Sequence, residues 1–395
     1  MPSKFIEGKY PIYLERAKGC YVADNEGHQF IDYPLGLGAI LLGHNYPDVT
    51  AALIHQLIQG NIYTLPSYKE TILAEKLKEL IPSCEMARFL KTGSEATSAA
   101  IKIARSFTGK NHIAYCGYHG WHDWYSVGTP KNKGIPKDYG KLLHKFKFND
   151  VSSFTRILCN YDVGAVILEP CIFQEPKDNF LRKVVSLAHK FEAVVIFDEI
   201  VTGLRFPGYS AQKFFKVKPD LTTLGKAMAN GIPISCVCGK KEIMKELEGD
   251  CFVSSTYGGD LLGISGALAT FRVLERGETI GHIWYLGEYL RDGYNEIAKS
   301  LDLDTRCVGY PNRTMHLFPT PNHKSLFWQE CIGRGVLFGY AQFISYSHSL
   351  EVIDYTLEVI RDALKIVKEN WKNPLRKLKG KPAEEVFRLV ATDKD

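Results

Sequence analysis

The sequence predicts an α/β protein: a large domain with a mainly parallel central sheet flanked by helices, plus a smaller α+β domain. Three observations lead there. Short apolar runs ("ARFLKTG", "HIAYCG", "VGAVILEP", "AVVIFDE", "SCVCG") alternate with helical patterns such as "SEATSAAIKIARSFTG" and "NFLRKVVSLAHKF". Strand, helix, strand in succession calls for a largely parallel sheet covered on both faces. After about Gly263 the pattern turns helical, broken by one short β-like region around Thr314 to Phe318.

Taken in order, the first 35 residues read as extended segments, with "CYVADNEGHQFIDY" forming two β-like runs around Asn25-Glu26-Gly27, a hairpin signal. Asp48 to Gln59 has helical apolar spacing, and "YKETILAEKLKELIP" is an amphipathic helix stopped by Pro82. The alternating middle follows. Then come "ISGALATFRVLERG", "WYLGEYLRDGYNEIAKS", the short β-like region and two further helical stretches. The expected division is 1–48 as a segment joining the small domain, 49–280 as the large domain and 281–395 as the small α+β domain.

Composition narrows the classes. The 395 residues allow two or three packed units. With 49 basic and 44 acidic residues, the net charge of +5 suits a small anionic ligand and falls short of a nucleic-acid footprint. The start, "MPSKFIEGKYPIYLERAKG", has no apolar core of signal-peptide length, and no stretch approaches a membrane span. Ten cysteines lie scattered; Cys236 and Cys238 alternate on an apolar strand with no second pair to complete a zinc site. Reduced thiols, a cytoplasmic location and no metal are the expectations.

In parallel α/β sheets ligands sit beyond the carboxyl ends of strands. Four such ends are unusual. In "FLKTGSEATSAA" a strand runs into Thr92-Gly93-Ser94 and a helix begins at once. Free N–H groups and hydroxyls at the positive end of a helix dipole make a phosphate cup, although a plain Ser N-cap reads the same way. In "CGYHGWHDW", glycines around Tyr118 and His119, with Trp121 and Trp124, put flat rings where one could stack on a planar ligand or fill the core. His119 and His122 lack a convincing third metal ligand.

The third end, "AVVIFDEIVTGLRF", places Asp198 and Glu199 after five apolar residues. A buried ionised carboxylate needs a cationic partner or several donors, and a pyridinium N–H would serve; a helix N-cap or a metal aspartate are the other readings. The fourth is Lys226 in "DLTTLGKAMANG", 28 residues on, between a glycine and an alanine. Apolar surroundings disfavour its ammonium and leave a nucleophilic amine, whereas most lysines are solvated surface groups. Together the four describe a device for holding pyridoxal 5′-phosphate as an electron sink.

With these motifs in this order, the chain resembles a class III (ω-type) aminotransferase of pyridoxal-phosphate fold type I, nearer the glutamate-1-semialdehyde aminomutase-like branch. The likeness runs nearly end to end, through "LERAKGCYVADNEGHQFIDYPLGLGAILLGHNYPDV", "GSEATSAAIKIARSFTG", "YHGWHDW", "VILEP", "IFDEIVTGLRF", "PDLTTLGKAMANGIPIS", "STYGGD" and "GVLFGYAQFISYSHSLEVID". It implies that Lys226 carries the cofactor as a Schiff base and later moves protons, that Asp198 pairs with the pyridine nitrogen, and that Tyr118 and Ile200 cover the two ring faces. Gly93 and Ser94, with Thr92 adjoining, would bind the phosphate. Gln174 would face the phenolic oxygen. Thr256 would reach the phosphate of a neighbouring subunit, which implies a homodimer with active sites at the interface.

The implied activity is transfer of an amino group between an amino donor and a small carbonyl compound. A sugar-like acceptor, in a cell-surface saccharide or secondary pathway, follows from "GYHGWHDWYSVGTPKNKGIPK" and "STYGGDLLGISGALATF", which look like a mutase-like transaminase subgroup. Two alternatives share the fold: a glutamate-1-semialdehyde 2,1-aminomutase or related 1,2-aminomutase, and a decarboxylase or epimerase. Aminomutases carry an arginine upstream, where "MPSKFIEGKYP" is not basic at the matching position, and an acidic residue in the C-terminal loop, replaced here by Tyr340 or a neighbour. Those differences point Trp121 and Trp124 toward lining a different pocket. A DNA-binding regulator is disfavoured because no segment supplies the module.

Overall fold

Along each central strand, successive side chains feed two different cores. In the computed structural model, which describes residues 13–383, Ile113 and Tyr115, Ala165 and Ile167, and Val194 and Ile196 join the Gly93–Thr108 helix in one buried cluster. Their neighbours Ala114, Cys116, Val166, Leu168, Val195 and Phe197 pack on the other face with Phe154, Leu158, Phe180 and Val184. Period-two alternation of apolar residues on both faces is the signature of a sheet with no solvated side.

That sheet has seven strands: β1 Met86–Leu90, β2 His112–Cys116, β3 Leu143–Lys145, β4 Val163–Leu168, β5 Val194–Asp198, β6 Leu221–Leu224 and β7 Ser235–Gly239. Their spatial order is β1-β7-β6-β5-β4-β2-β3. β2 through β6 pair in parallel, while β7 runs antiparallel between β1 and β6. The reversal has a simple cause. Parallel return needs a crossover of a dozen or more residues, and the link from Leu224 to Ser235 holds only one short 3-10 turn, Lys226–Ala229. The chain must turn back, and Lys226 sits in that turn.

The chain divides into two compact units, Asp48–Val273 and the segments up to Pro47 and from Leu274 onward. The breaks fall at 47/48 and 273/274, beside the expected 48/49 and 280/281; the second coincides with the end of the Leu261–Leu274 helix. The smaller unit carries the predicted hairpin, Tyr21–Asp24 on Gln29–Asp32, within a four-stranded sheet, and a three-stranded sheet containing Arg313–Leu317. Its helices are Thr279–Ser300, Pro321–Ile332 and Leu350–Glu369. All ten cysteines are free thiols. No helix among the described residues is long and apolar enough to cross a membrane.

The smaller unit buries two imidazoles that set its acid limit. Burial pushes His316 down to about 3, with Lys324 adding to the push. Burial does the same to His348, also to about 3, partly opposed by the Ser345 backbone hydrogen bond. Both folded values lie below the ordinary 6.5, so the unfolded chain binds more protons as pH falls from 6.5 toward 3. The stability that neutral burial contributes is complete above 6.5 and is lost below it, at about 1.4 kcal/mol per group per pH unit. Thermal unfolding followed from pH 7 to pH 5 should show the smaller unit losing about 4 kcal/mol. A flat profile over that window would contradict the burial of the two rings.

Candidate active site

The C-terminal edge of the large sheet collects the candidate residues. β1 leads into Thr92, whose side chain caps the Gly93–Thr108 helix: its Oγ1 accepts from Glu95 N at 3.3 Å, and Glu95 Oε2 accepts from Thr92 N at 2.7 Å. This capping box fixes the first turn and leaves Gly93 and Ser94 at its start. Ser94 is buried, and its Oγ accepts from Trp121 N at 3.2 Å. Gly120 permits that approach: at φ +102°, a Cβ there would lie 2.4 Å from Ser94 Oγ. The Thr92–Ser94 turn and the "GYHGW" loop are thereby joined.

At the end of β5 the two carboxylates separate. Asp198 keeps the parity of Val194 and Ile196 and is held by three donors: His119 Nδ1 at 2.8 Å, Ile200 N at 3.1 Å and Thr223 Oγ1 at 3.2 Å. Glu199 points away and is wholly buried, accepting from Thr202 Oγ1, Ala211 N and Gln212 Nε2. Burial raises its pKa, against the lowering by those donors. Glu199 therefore ties down the turn after β5, and Asp198 is the carboxylate on the face shared with the Gly93–Thr108 helix.

His119 is the residue that sequence reasoning passed over. It is 1% exposed, and both ring nitrogens face acceptors, Nδ1 toward Asp198 and Nε2 toward the Cys116 carbonyl at 3.2 Å. Held at both ring nitrogens, His119 is fixed in orientation and in turn fixes the Asp198 carboxylate. The one signal in the sequence was a histidine beside the ring residue Tyr118, in a loop too apolar to leave it solvated. His122 bonds elsewhere, through Nδ1 to Ser98 Oγ at 2.7 Å. No cluster of three or more His, Cys, Asp or Glu among the described residues could hold a metal ion.

Ile200 is the wedge that joins the remaining parts. A Cβ built on Gly93 would lie 3.1 Å from Ile200 Cγ2, and one on Gly225 would lie 3.1 Å from Ile200 Cδ1. The Thr92–Ser94 turn, Ile200 and the glycine before Lys226 are thus in contact. Lys226 is half-buried between buried neighbours, and its backbone is left-handed at φ +41°, a costly conformation for a residue with a Cβ. Gly93→Ala should push Ile200 aside at a cost of about 1–3 kcal/mol, read by thermal unfolding of the apoprotein; an unchanged midpoint would mean that the contact is slack.

Tyr118 lies on the same loop as His119, its N–H donating to Glu169 Oε1 at 3.0 Å and its ring set edge-on to Tyr125 at 5.6 Å. Trp124 donates from Nε1 to Ser98 Oγ at 2.8 Å and packs on the core, whereas Trp121 is 70% exposed. Gln174 is half-buried on the loop after β4. Thr256 stands apart. It is exposed and lines a different cavity of about 600 Å³ with Ile62, Tyr63, Leu65, Glu70 and Arg88. In the smaller unit, Tyr340 has Lys324 Nζ 5.1 Å from its ring centre, so an aromatic ring facing a cation stands in the loop where a carboxylate was expected. The "MPSKFIEGKYP" segment lies outside the described residues.

The family model for class III aminotransferases matches residues 5–339. The chain belongs to the class III aminotransferase family. It is 36% identical over 390 residues to the glutamate-1-semialdehyde 2,1-aminomutase of Methanothrix thermoacetophila, covering 90% of each chain. It is 35% identical over 385 residues to the 3-aminobutyryl-CoA aminotransferase of Cloacimonas acidaminovorans, covering 93% of this chain and 92% of the relative. In fold it matches the FumI protein of Sphingopyxis sp. MTA144, solved in its pyridoxal-phosphate internal aldimine form, with TM-score 0.89, 24% identity, and 95% and 94% of the two chains covered. A glutamate-1-semialdehyde aminomutase from Pseudomonas aeruginosa matches with TM-score 0.81 and 20% identity over 90% of this chain and 88% of that one. The fold is pyridoxal-phosphate fold type I, and the cofactor of this class III aminotransferase is pyridoxal 5′-phosphate.

Proposed function

We propose that this class III aminotransferase moves an amino group between two separate molecules, an amino donor and a small sugar-like carbonyl acceptor. The observation that carries the chemistry is Asp198. A carboxyl group 4% exposed and held in place by His119 Nδ1, Ile200 N and Thr223 Oγ1 is what a pyridine nitrogen needs opposite it to stay protonated. The residues present fit pyridoxal 5′-phosphate. Gly93, Ser94 and Thr92 offer a helix start from which a side chain is excluded by Ile200, and an anion is favoured there.

When bound, the cofactor holds the substrate amine and withdraws electrons from its Cα. Lys226 would hold the cofactor covalently, and its Nζ, once free, would move the proton from the substrate Cα to the cofactor carbon on the other side of the amine nitrogen. Asp198 would hold the proton on the pyridine nitrogen, oriented by His119. Ile200 and Tyr118 would flank the ring, and Gln174 would address the phenolic oxygen. The donor test separates the readings: one keto acid released per amino group moved from glutamate supports intermolecular transfer. Isomerisation without donor consumption would replace it with the 1,2-aminomutase reading, which the 36% identity to a named aminomutase favours.

We also propose a homodimer in which Thr256 serves the partner's phosphate site. The support is an apolar stripe in water: Ile54, Leu57 and Ile58 of the Pro47–Ile58 helix continue into Ile62, Tyr63, Leu65 and Tyr68, with Ile58 82% and Leu65 77% exposed. Exposed contiguous apolar surface of that kind marks a protein interface. The double variant Leu57→Asp/Ile58→Asp should sediment as a monomer with its fold intact. A wild-type protein that sediments as a monomer at micromolar concentration would refute the dimer.

A further inference from the structure

At the opposite edge of the large sheet, before the strands begin, the chain forms a recess of about 610 Å³ lined by Arg182, Val185, Ser186, His189, Lys190, Lys216, Val217 and Lys218. Four of these eight side chains are Lys or Arg, a fifth is His189 and none is acidic, in a chain where 49 of 395 residues are Lys or Arg. His189 is hydrogen-bonded to Asp220 at 2.9 Å, and Lys218 is 3.8 Å from Glu85. Arg182, Lys190 and Lys216 have no acidic partner among the described residues. Like charges crowded on one shallow, solvent-open face repel, and an anion bound there relieves the repulsion.

A second observation singles out Lys216. Its backbone is left-handed at φ +53°, a conformation that glycine or asparagine adopts at least cost. The chain accepts that cost at a position whose side chain adds a cation to the recess.

We propose that this recess is a second binding site, for a small anion carrying two or more phosphate groups. Its volume is in the range of small-molecule sites, about 300–1,000 Å³. The planar fork of Arg182 suits paired phosphate oxygens, the lysines supply point charges, and Ser186 supplies a hydroxyl. The five-residue strand β5 separates this edge from Asp198 by about 15 Å, so the ligand is distinct from the cofactor. Inorganic polyphosphate and a nucleoside diphosphate share the required chemistry.

Calorimetric titration of the cofactor-loaded protein with tripolyphosphate and with ADP tests it. Saturable one-to-one binding that weakens with salt is expected; tighter binding of ADP than of tripolyphosphate identifies a nucleotide, and equal or weaker binding of ADP an inorganic anion. Lys216→Gly and Arg182→Gln should each weaken binding at least about tenfold and leave amino-group transfer unchanged. Lys216→Gly also relieves the left-handed backbone, so it stays folded. The proposal is overturned by no saturable binding of either probe, by binding that persists unchanged in both variants, or by binding of RNA in place of small anions.

Discussion

Lys226→Ala is expected to abolish amino-group transfer, lowering kcat by at least about 10⁴-fold, and to remove the yellow colour of the cofactor-loaded protein. Both losses have one source. In the proposed mechanism this position supplies both the covalent anchor and the base that moves the proton, and an alanine methyl can do neither. The fold should survive, because the replacement removes a half-buried side chain from a left-handed turn without opening the core. Absorbance and circular dichroism on one sample separate the outcomes. A colourless, folded, inactive protein is the expected result; a yellow one would transfer the anchor role to another lysine.

Asp198→Ala is expected to cost about 10²–10³-fold in kcat and to lower the folded protein's stability as well. The methyl cannot hold a proton on a pyridine nitrogen, and it leaves the buried His119 Nδ1 without its hydrogen-bond partner. A buried polar group left unsatisfied is costly. Asp198→Asn keeps the shape and loses the charge. It should match the alanine variant in kcat and recover part of the stability; an asparagine variant with full activity would show that the negative charge is not used.

Much of the site was legible before folding. Thr92-Gly93-Ser94, Asp198 and Lys226 each follow an apolar run, and in a parallel sheet every such end reaches the same edge. The local cue is the abrupt change from apolar strand to glycine or carboxylate. The apolar run alone did not choose between Asp198 and Glu199, and only the family resemblance pointed to Asp198, because adjacent residues at a strand end point to opposite faces and the packed helix decides which face is the site. The pairing of His119 with Asp198 was not legible because the two lie 79 residues apart. The wedge formed by Ile200 escaped as well, since contact with Gly93 and Gly225 spans three separate turns.

The antiparallel course of β7 shows the same boundary. The run "SCVCG" announces a strand, yet its direction follows from the shortness of the Leu224–Ser235 link and its neighbours follow from hydrogen bonds to β1 and β6. Periodicity, turn chemistry and motif order are local quantities, and they specified the α/β class, the family and the candidate lysine. Which carboxylate faces the candidate site, which histidine holds it, and where cations gather were decided by tertiary packing, because close contact depends on groups that only the folded chain brings within a few ångströms.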